Sequence, residues 1–509
     1  MFHALRKRFS LQFGAAALAA LACGLSAAAP AALPATPAAW RDAAHADIEA
    51  AVRITRENHP GVLDARNPGF AANLEAARRH GLALAGQVTD ARSYTAAVEG
   101  FNVRIKDGHA GMFARLGDAK AAQLRWPGFV TVWRGDGLYV HSAQPGQPAV
   151  GSRLRSCDGK AAGQLIRDNV FSFQGRVDEA GQWWSRARRV FLDDGNPFIA
   201  LPRRCRFESK GRVQEHVLAW RAIDAEGERW LDDSNGGDAG PVGVSEPRKN
   251  LFWVSMPTFH PNEAERAAYR AMTAELEAQR ARWLSLDAVV VDLRKNQGGS
   301  SSWSQGFAEA LWGKERVRKE SAAYDAGVEV WWRASPDNTS YVASLAERLA
   351  REGSTEVAAR IAVYAQGMRD ALAAGKPFYV EPEDPAPDAA ATPDGPAFTR
   401  PVYVIVPGNC ASACLDALDV FTRFPNTVLV GAPSSADSTY MDVRVAELES
   451  GRAAVIVPNK VYVNRKRANG EIYKPQIEVR DVAWTGATLL KAVEADLARR
   501  AAGGRTAGR

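Results

Sequence analysis

The sequence predicts a multidomain α/β protein whose last and largest domain is built on a partly parallel sheet. Three observations carry this. The chain has 509 residues, too many for one core, and at ~150 residues per domain they make about three. In the second half, short and fully apolar β-branched runs alternate with helical stretches, the pattern of parallel strands covered by helices. Before them, near residue 121, helical periodicity gives way to short β-rich runs. Apolar content of 46% and charged content of 24% suit a globular chain without long biased segments.

The chain opens with "MFHALRKRFSLQFGAAALAALACGLSAAAPAA". A basic start, a short apolar run and Ala-rich small residues mark a secretory signal peptide, expected over residues 1–29. Cys23 follows "ALA" in that run, so a lipid anchor there is an alternative, although Ala20 stands where a lipoprotein box prefers Leu. No later apolar run approaches the ~18 residues of a membrane span. The expected protein is therefore exported, to a bacterial periplasm or beyond the cell. The formal charge is +6, but Arg6, Lys7 and Arg8 supply +3 of it and residues 1–30 hold no acid. What remains is too weakly basic for a nucleic-acid binder. Cys157, Cys205, Cys410 and Cys414 remain beyond Cys23, an even number compatible with two disulfides in an exported chain.

Residues 35–120 read as an N-terminal helical domain, interrupted at "ENHPGV" and "DARNPGF". Its last helix, "DARSYTAAVEGFNVRI", is followed by "KDGHAGMF". Residues 121–245 carry β runs such as "FVTVWR", "GLYVHSA" and "HVLAWRA", with the glycine-rich "SNGGDAGPVG" (234–243) reading as a linker. Residues 246–500 form the α/β core: the strand "NLFWVSM", a helix over about 263–283, then "LDAVVVDLR". A helical insertion over 316–395 ends in the acidic "EPEDPAPDAAATPDGPA", and the strands "RPVYVIV" and "NTVLVGA" follow with a helix between them. "GRAAVIVPNKVYVN" then reads as antiparallel.

Three stretches hold chemistry-bearing residues beyond what a turn needs. In "RPVYVIVPGNCASACLDAL" a strand runs through small residues into a helix, with Ser412 at the junction. A helix N-terminus offers free backbone N–H groups that can stabilise an oxyanion. Equally, a serine there can be a simple N-cap. In "AVVVDLRKNQGGSSSW" a strand ends in Asp292, Arg294, Asn296 and the pair Gly298–Gly299, where a substrate backbone could approach closely. In "IKDGHAGMF" a turn displays His109. A zinc-binding HExxH and a Walker loop are both missing, so no metal or cofactor is expected. "SWSQG" has Ser302 where a nucleophile elbow around Ser304 would require glycine.

Together these stretches resemble the serine peptidase family of C-terminal (tail-specific) processing proteases, the tricorn core and the chlamydial protease-like factor. "DLRKNQGG" matches the family's strand-and-glycine motif, and "NCASAC" its nucleophile loop. "KDGH" and "NGEIYKPQIEV" match the segments of the Ser–His–Glu branch that carry the histidine and the glutamate. The resemblance implies Ser412 as nucleophile, His109 as general base and Glu471 as the acid orienting it. It also implies oxyanion donors from Ala413 and the Gly298–Gly299 turn, a PDZ-like middle domain, and a peptide or protein substrate. Two departures stand out. "VGAPSSADSTYM" lacks the lysine of the Ser–Lys branch, and Gln476 replaces an acid after the proline of "YKPQIEV", an exchange expected to touch a loop contact. Cys157 and Cys205 fall at strand ends of the PDZ-like region and are expected to pair. Cys410 and Cys414 flank Ser412, where a bridge would fix its loop. A silent ligand-binding protein of the same fold and an esterase are the competing readings.

Overall fold

The structure is a computed structural model that describes residues 33–117, 123–382 and 395–506. The expected signal peptide, Cys23 and most of the acidic loop of the insertion lie outside the described residues.

Three helices open the fold: Pro37–Asn58, Phe70–Ala85 and Ala91–Ile105. The first starts at Thr36, whose side chain accepts from Ala39 N, with proline in the first turn. The third starts in a reciprocal capping box between Asp90 and Ser93. Lys106 ends it in the left-handed region, φ 58°, and swings the chain into Asp107–Gly108–His109. The strand Gly111–Ala114 follows at once and pairs antiparallel with Ala453–Val463, Gly111 opposite Ile456 and Ala114 opposite Ala453. Leu448, Ala453, Val455 and Val457 belong to the same buried cluster as Ile48, Leu74, Tyr94 and Phe101. The helical region thus shares its core with the C-terminal part of the chain and is not a free-standing unit.

The middle region is an antiparallel sheet in the order Phe129–Trp133, Leu138–Ala143, Arg153–Cys157, Arg204–Ser209, Arg212–Val217. Cys157 and Cys205 are opposite each other in register and form a disulfide. The expected linker over 234–243 is mostly structured. The helix Ala225–Gly236, capped by Asp224, runs into it, and the strand Gly243–Arg248 already belongs to the core sheet. The boundary at residue 245 therefore falls inside a strand.

That core sheet has six strands. Gly243–Arg248 is an antiparallel edge, and Leu251–Ser255, Ala288–Asp292, Val402–Val406, Thr427–Gly431 and Ile477–Glu478 run parallel in that order. "AVVVD" and "VYVIV" are buried at every position, as strands covered on both faces must be. The register puts Ser255 beside Asp292, Asp292 beside Ile405 and Val406 beside Gly431. The loops after these strands consequently gather at one end of the sheet, where open α/β folds place their sites.

The insertion is less purely helical than expected. Between and after its helices Lys314–Tyr324, Pro336–Arg351 and Thr355–Ala373 it adds the strands Glu329–Arg333 and Phe378–Val380. Glu329–Arg333 pairs with Ala453–Val463, so the insertion and the strand Gly111–Ala114 that follows His109 belong to one sheet. "GRAAVIVPNKVYVN" is antiparallel as read, pairing with Tyr440–Glu447.

Candidate active site

Ser412 stands between the strand Val402–Val406 and the helix Ala413–Phe421. It occupies the N-cap position, yet its side chain makes no capping hydrogen bond. Its φ of 53° and ψ of −130° place a non-glycine residue in strained backbone, costing on the order of 1–3 kcal/mol. A cap needs no such conformation; a displayed nucleophile at a sharp strand-to-helix turn does. Cys410 and Cys414 are bridged across it, and both are fully buried.

The loop after Ala288–Asp292 is built by its own polar side chains. Asp292, Arg294 and Asn296 are each at most 2% exposed. Asp292 accepts from Trp253 Nε1 at 3.0 Å and from Arg294 Nη2 at 2.7 Å. Arg294 also donates to Trp484 O, and Asn296 donates to Met256 O at 2.8 Å. These bonds fix the loop so that Gly298 reaches Ser412: a Cβ there would lie 2.8 Å from Ser412 Cβ. One expectation needs correcting. The Gly298 N–H is already donated to Asn296 Oδ1 at 2.9 Å, so Gly298 supplies space and not an oxyanion donor. Among the described residues no acceptor occupies the N–H of Ala413 or of Gly299, and both remain available.

His109 arrives from the helical region, held by its turn. Asp107 Oδ1 accepts from His109 N and from Ser438 Oγ, both at 2.8 Å. On its other side Asp107 Oδ2 lies 3.2 Å from His59 Nε2. Gly61 N donates to His59 Nδ1 at 2.9 Å, which leaves the His59 proton on Nε2, facing Asp107. Burial alone would raise the Asp107 pKa, but the His59 contact and the two imidazoles outweigh it and hold it below the usual aspartate value.

The imidazole of His109 does not meet Glu471. Its Nδ1 lies 3.2 Å from Asp437 Oδ1, and Asp437 Oδ2 accepts from Ser412 N at 3.1 Å. Glu471 is exposed, and its carboxylate turns back to accept from Ala468 N at 2.8 Å. The assignment of Glu471 as the imidazole's partner is corrected accordingly; a glutamate at the lip of a loop hydrogen-bonds the nearest free amide. Asp437 escaped sequence reading, although it is the only acid in "GAPSSADSTYM" before Asp442 and follows a parallel strand. Gln476 accepts from Leu429 N at 2.6 Å, so its contact is with the core strand Thr427–Gly431 and not with a loop.

The middle region takes part directly. Arg176 donates to Ala436 O at 3.1 Å and Glu179 accepts from Ala436 N at 3.0 Å, gripping both backbone groups of the residue before Asp437. Gly181 packs so closely that a Cβ would lie 2.2 Å from Ser434 O and 2.6 Å from Gly408 O. Among the described residues no group of three or more His, Cys, Asp or Glu side chains could hold a metal ion.

Residues 251–479, from the second core strand to the last, match the sequence model of peptidase family S41. The core is an S41 peptidase domain. The chain is accordingly a serine-type peptidase. Its fold is similar to that of mature CPAF, with a TM-score of 0.56 at 12% identity over 90% of this chain and 96% of that one. CPAF complexed with lactacystin gives a TM-score of 0.53 at 13% identity, covering 90% and 97%. That likeness reaches well outside the S41 segment and includes the helical and middle regions. No curated protein sequence matches the chain.

Proposed function

We propose that this S41 peptidase is an exported serine endopeptidase acting through an acyl-enzyme on Ser412, with His109 as general base. The observation that supports it most is the sharing of one carboxylate: Asp437 meets His109 Nδ1 with one oxygen and Ser412 N with the other. Residues from two ends of the chain are thereby held at the same few atoms. In the reaction the imidazole takes the Ser412 Oγ proton as that oxygen attacks the peptide carbonyl. The Ala413 and Gly299 N–H groups receive the developing oxyanion at the positive end of the helix Ala413–Phe421. The imidazolium then protonates the leaving amine, and water attacks the acyl-serine by the same route. Export is supported by the basic, Ala-rich start of the chain and by two disulfides, which persist in oxidising compartments.

The test is a fluorophosphonate probe with peptide turnover on pure protein. Wild type should label at Ser412 and cleave peptide, and Ser412→Ala should do neither, losing ~10³-fold or more in rate. Turnover by Ser412→Ala near the wild-type rate would refute the assignment. A wild type that neither labels nor cleaves would favour a silent binding protein.

A further inference from the structure

We infer that Asp437, and not Glu471, is the positioning residue of His109, and that its second oxygen holds the Ser412 peptide in its strained conformation. The inference rests on the Ser412–His109 reading above. Asp437 is fixed on every side. Its carboxylate is 4% exposed, its Oδ1 also accepts from Ser438 N at 2.9 Å, and the residue before it is gripped by Arg176 and Glu179. A carboxylate facing Nδ1 favours the tautomer with the proton there, which leaves Nε2 free to accept the serine proton. The 3.2 Å contact is not yet aligned as a hydrogen bond, as catalytic contacts often are before substrate binds.

The charges around the pair leave Asp437 for the imidazole. Arg176 flanks Gly108 and interacts electrostatically with Asp437 and Asp107, but its guanidinium is hydrogen-bonded to Glu179. Lys460 is engaged by Asp442, at 2.5 Å, and Asp442 interacts electrostatically with His109. Asp107 faces His59 and the backbone of the histidine turn. Arg176 and Lys460 thus each have a carboxylate at ion-pair distance other than Asp437, and His109 is the group that Asp437 meets at that distance. The acids also surround the imidazolium that forms during attack. Meanwhile the bond from Ser412 N to Asp437 Oδ2 links base orientation to nucleophile geometry through one side chain.

The experiment compares Asp437→Asn and Glu471→Gln with wild type in kcat, KM and melting temperature. Asp437→Asn should fold and lose ~10³–10⁴-fold in kcat, as an amide in place of a triad carboxylate does through the wrong tautomer. Its KM should change little, so that the loss falls on kcat, as expected of a group that orients the base and does not bind substrate. Glu471→Gln should keep its rate within about threefold, as surface exchanges do. Asp437→Asn at the wild-type kcat, or a dead Glu471→Gln beside it, would overturn the inference. Loss of activity in Ser412→Ala is independent of both, so failure of the underlying reading is recognisable. If Asp437→Asn does not fold, the Ser412→Ala protein decides by proton NMR at acid pH. A far-downfield imidazole N–H resonance that vanishes in His109→Ala supports the pairing, and its absence refutes it.

Discussion

Gly298 lies against Ser412 with no room for a side chain. A Cβ would stand 2.8 Å from Ser412 Cβ and from Ala411 O, and 3.1 Å from Ala413 N, at a φ of 108°. Gly298→Ala must push one loop off the other and adds roughly 1–3 kcal/mol of backbone strain. The variant should fold with a lowered Tm and lose ~10²-fold in kcat/KM, the size expected from a displacement near 1 Å at a reacting centre. Paired melting curves and turnover assays check it; wild-type kcat/KM in Gly298→Ala would mean that the two loops need not meet.

What the sequence discloses of this site follows from how each residue is used. Ser412, Gly298 and Gly299 answer a backbone demand, so a strand, a cluster of small residues and a helix start surround them in a readable pattern. His109 is readable as a displayed turn, but its route to the core is not. That route is the pairing of Gly111–Ala114 with Ala453–Val463, a contact between distant segments that leaves no local mark. Asp437 sits among Ser and Ala where an aspartate looks like any turn residue, and its role depends on distance alone. Glu471 shows the converse: a motif gives identity and order, whereas the Ala468 amide beside it decides where the carboxylate points. The short, half-buried strands of the insertion, Glu329–Arg333 and Phe378–Val380, are masked by the stronger periodicity of the helices around them.

The bridge between Cys410 and Cys414 encloses the strained serine. Closing so short a loop stabilises by about 2 kcal/mol on the chain-entropy account. Here the restraint also falls on the residues that hold Ser412. The double variant Cys410→Ser, Cys414→Ser should lower denaturation free energy by about that amount. Fluorophosphonate labelling should slow more than global stability accounts for. Equal labelling rates in the variant and wild type would show that the bridge serves stability alone.

Asn102 fastens the histidine turn to its helix. Its Nδ2 donates to Met112 O at 2.6 Å and its Oδ1 accepts from Met112 N at 2.8 Å, three residues past His109. Asn102→Ala removes both bonds beside a buried residue, at a cost of about 2 kcal/mol. With the turn loosened, kcat should fall by roughly tenfold or more, by the sensitivity of rate to placement, while substrate binding persists. Unchanged kcat in a protein whose Tm has dropped would separate the clasp from the chemistry. Deleting residues 1–120 is a harsher version of the same test. It removes His109 and strips cover from Leu448, Val455 and Val457, so serine-dependent turnover and solubility should both be lost.

Glu99 makes the docking of the helical region sensitive to pH. It lies on the helix Ala91–Ile105, where burial, and then the Asp194 carboxylate of the middle region, push its pKa up to about 7, with Arg189 only partly opposing them. A carboxyl whose pKa is higher folded than unfolded binds more protons in the folded state between those values. Stability from this group is therefore complete below its unfolded value of 4.5 and declines as pH rises toward 7. The loss reaches on the order of 3 kcal/mol once Glu99 is ionised. Above neutrality Glu99 and Asp194 repel across the contact between the two regions. Glu99→Gln keeps the shape and removes the charge, so its denaturation free energy should exceed that of wild type clearly at pH 8 and by much less near pH 5. Chemical denaturation at both values checks this. A wild-type stability that does not fall between pH 5 and pH 8 relative to Glu99→Gln would mean that Glu99 is ionised in the folded protein throughout, with Arg189 compensating it fully.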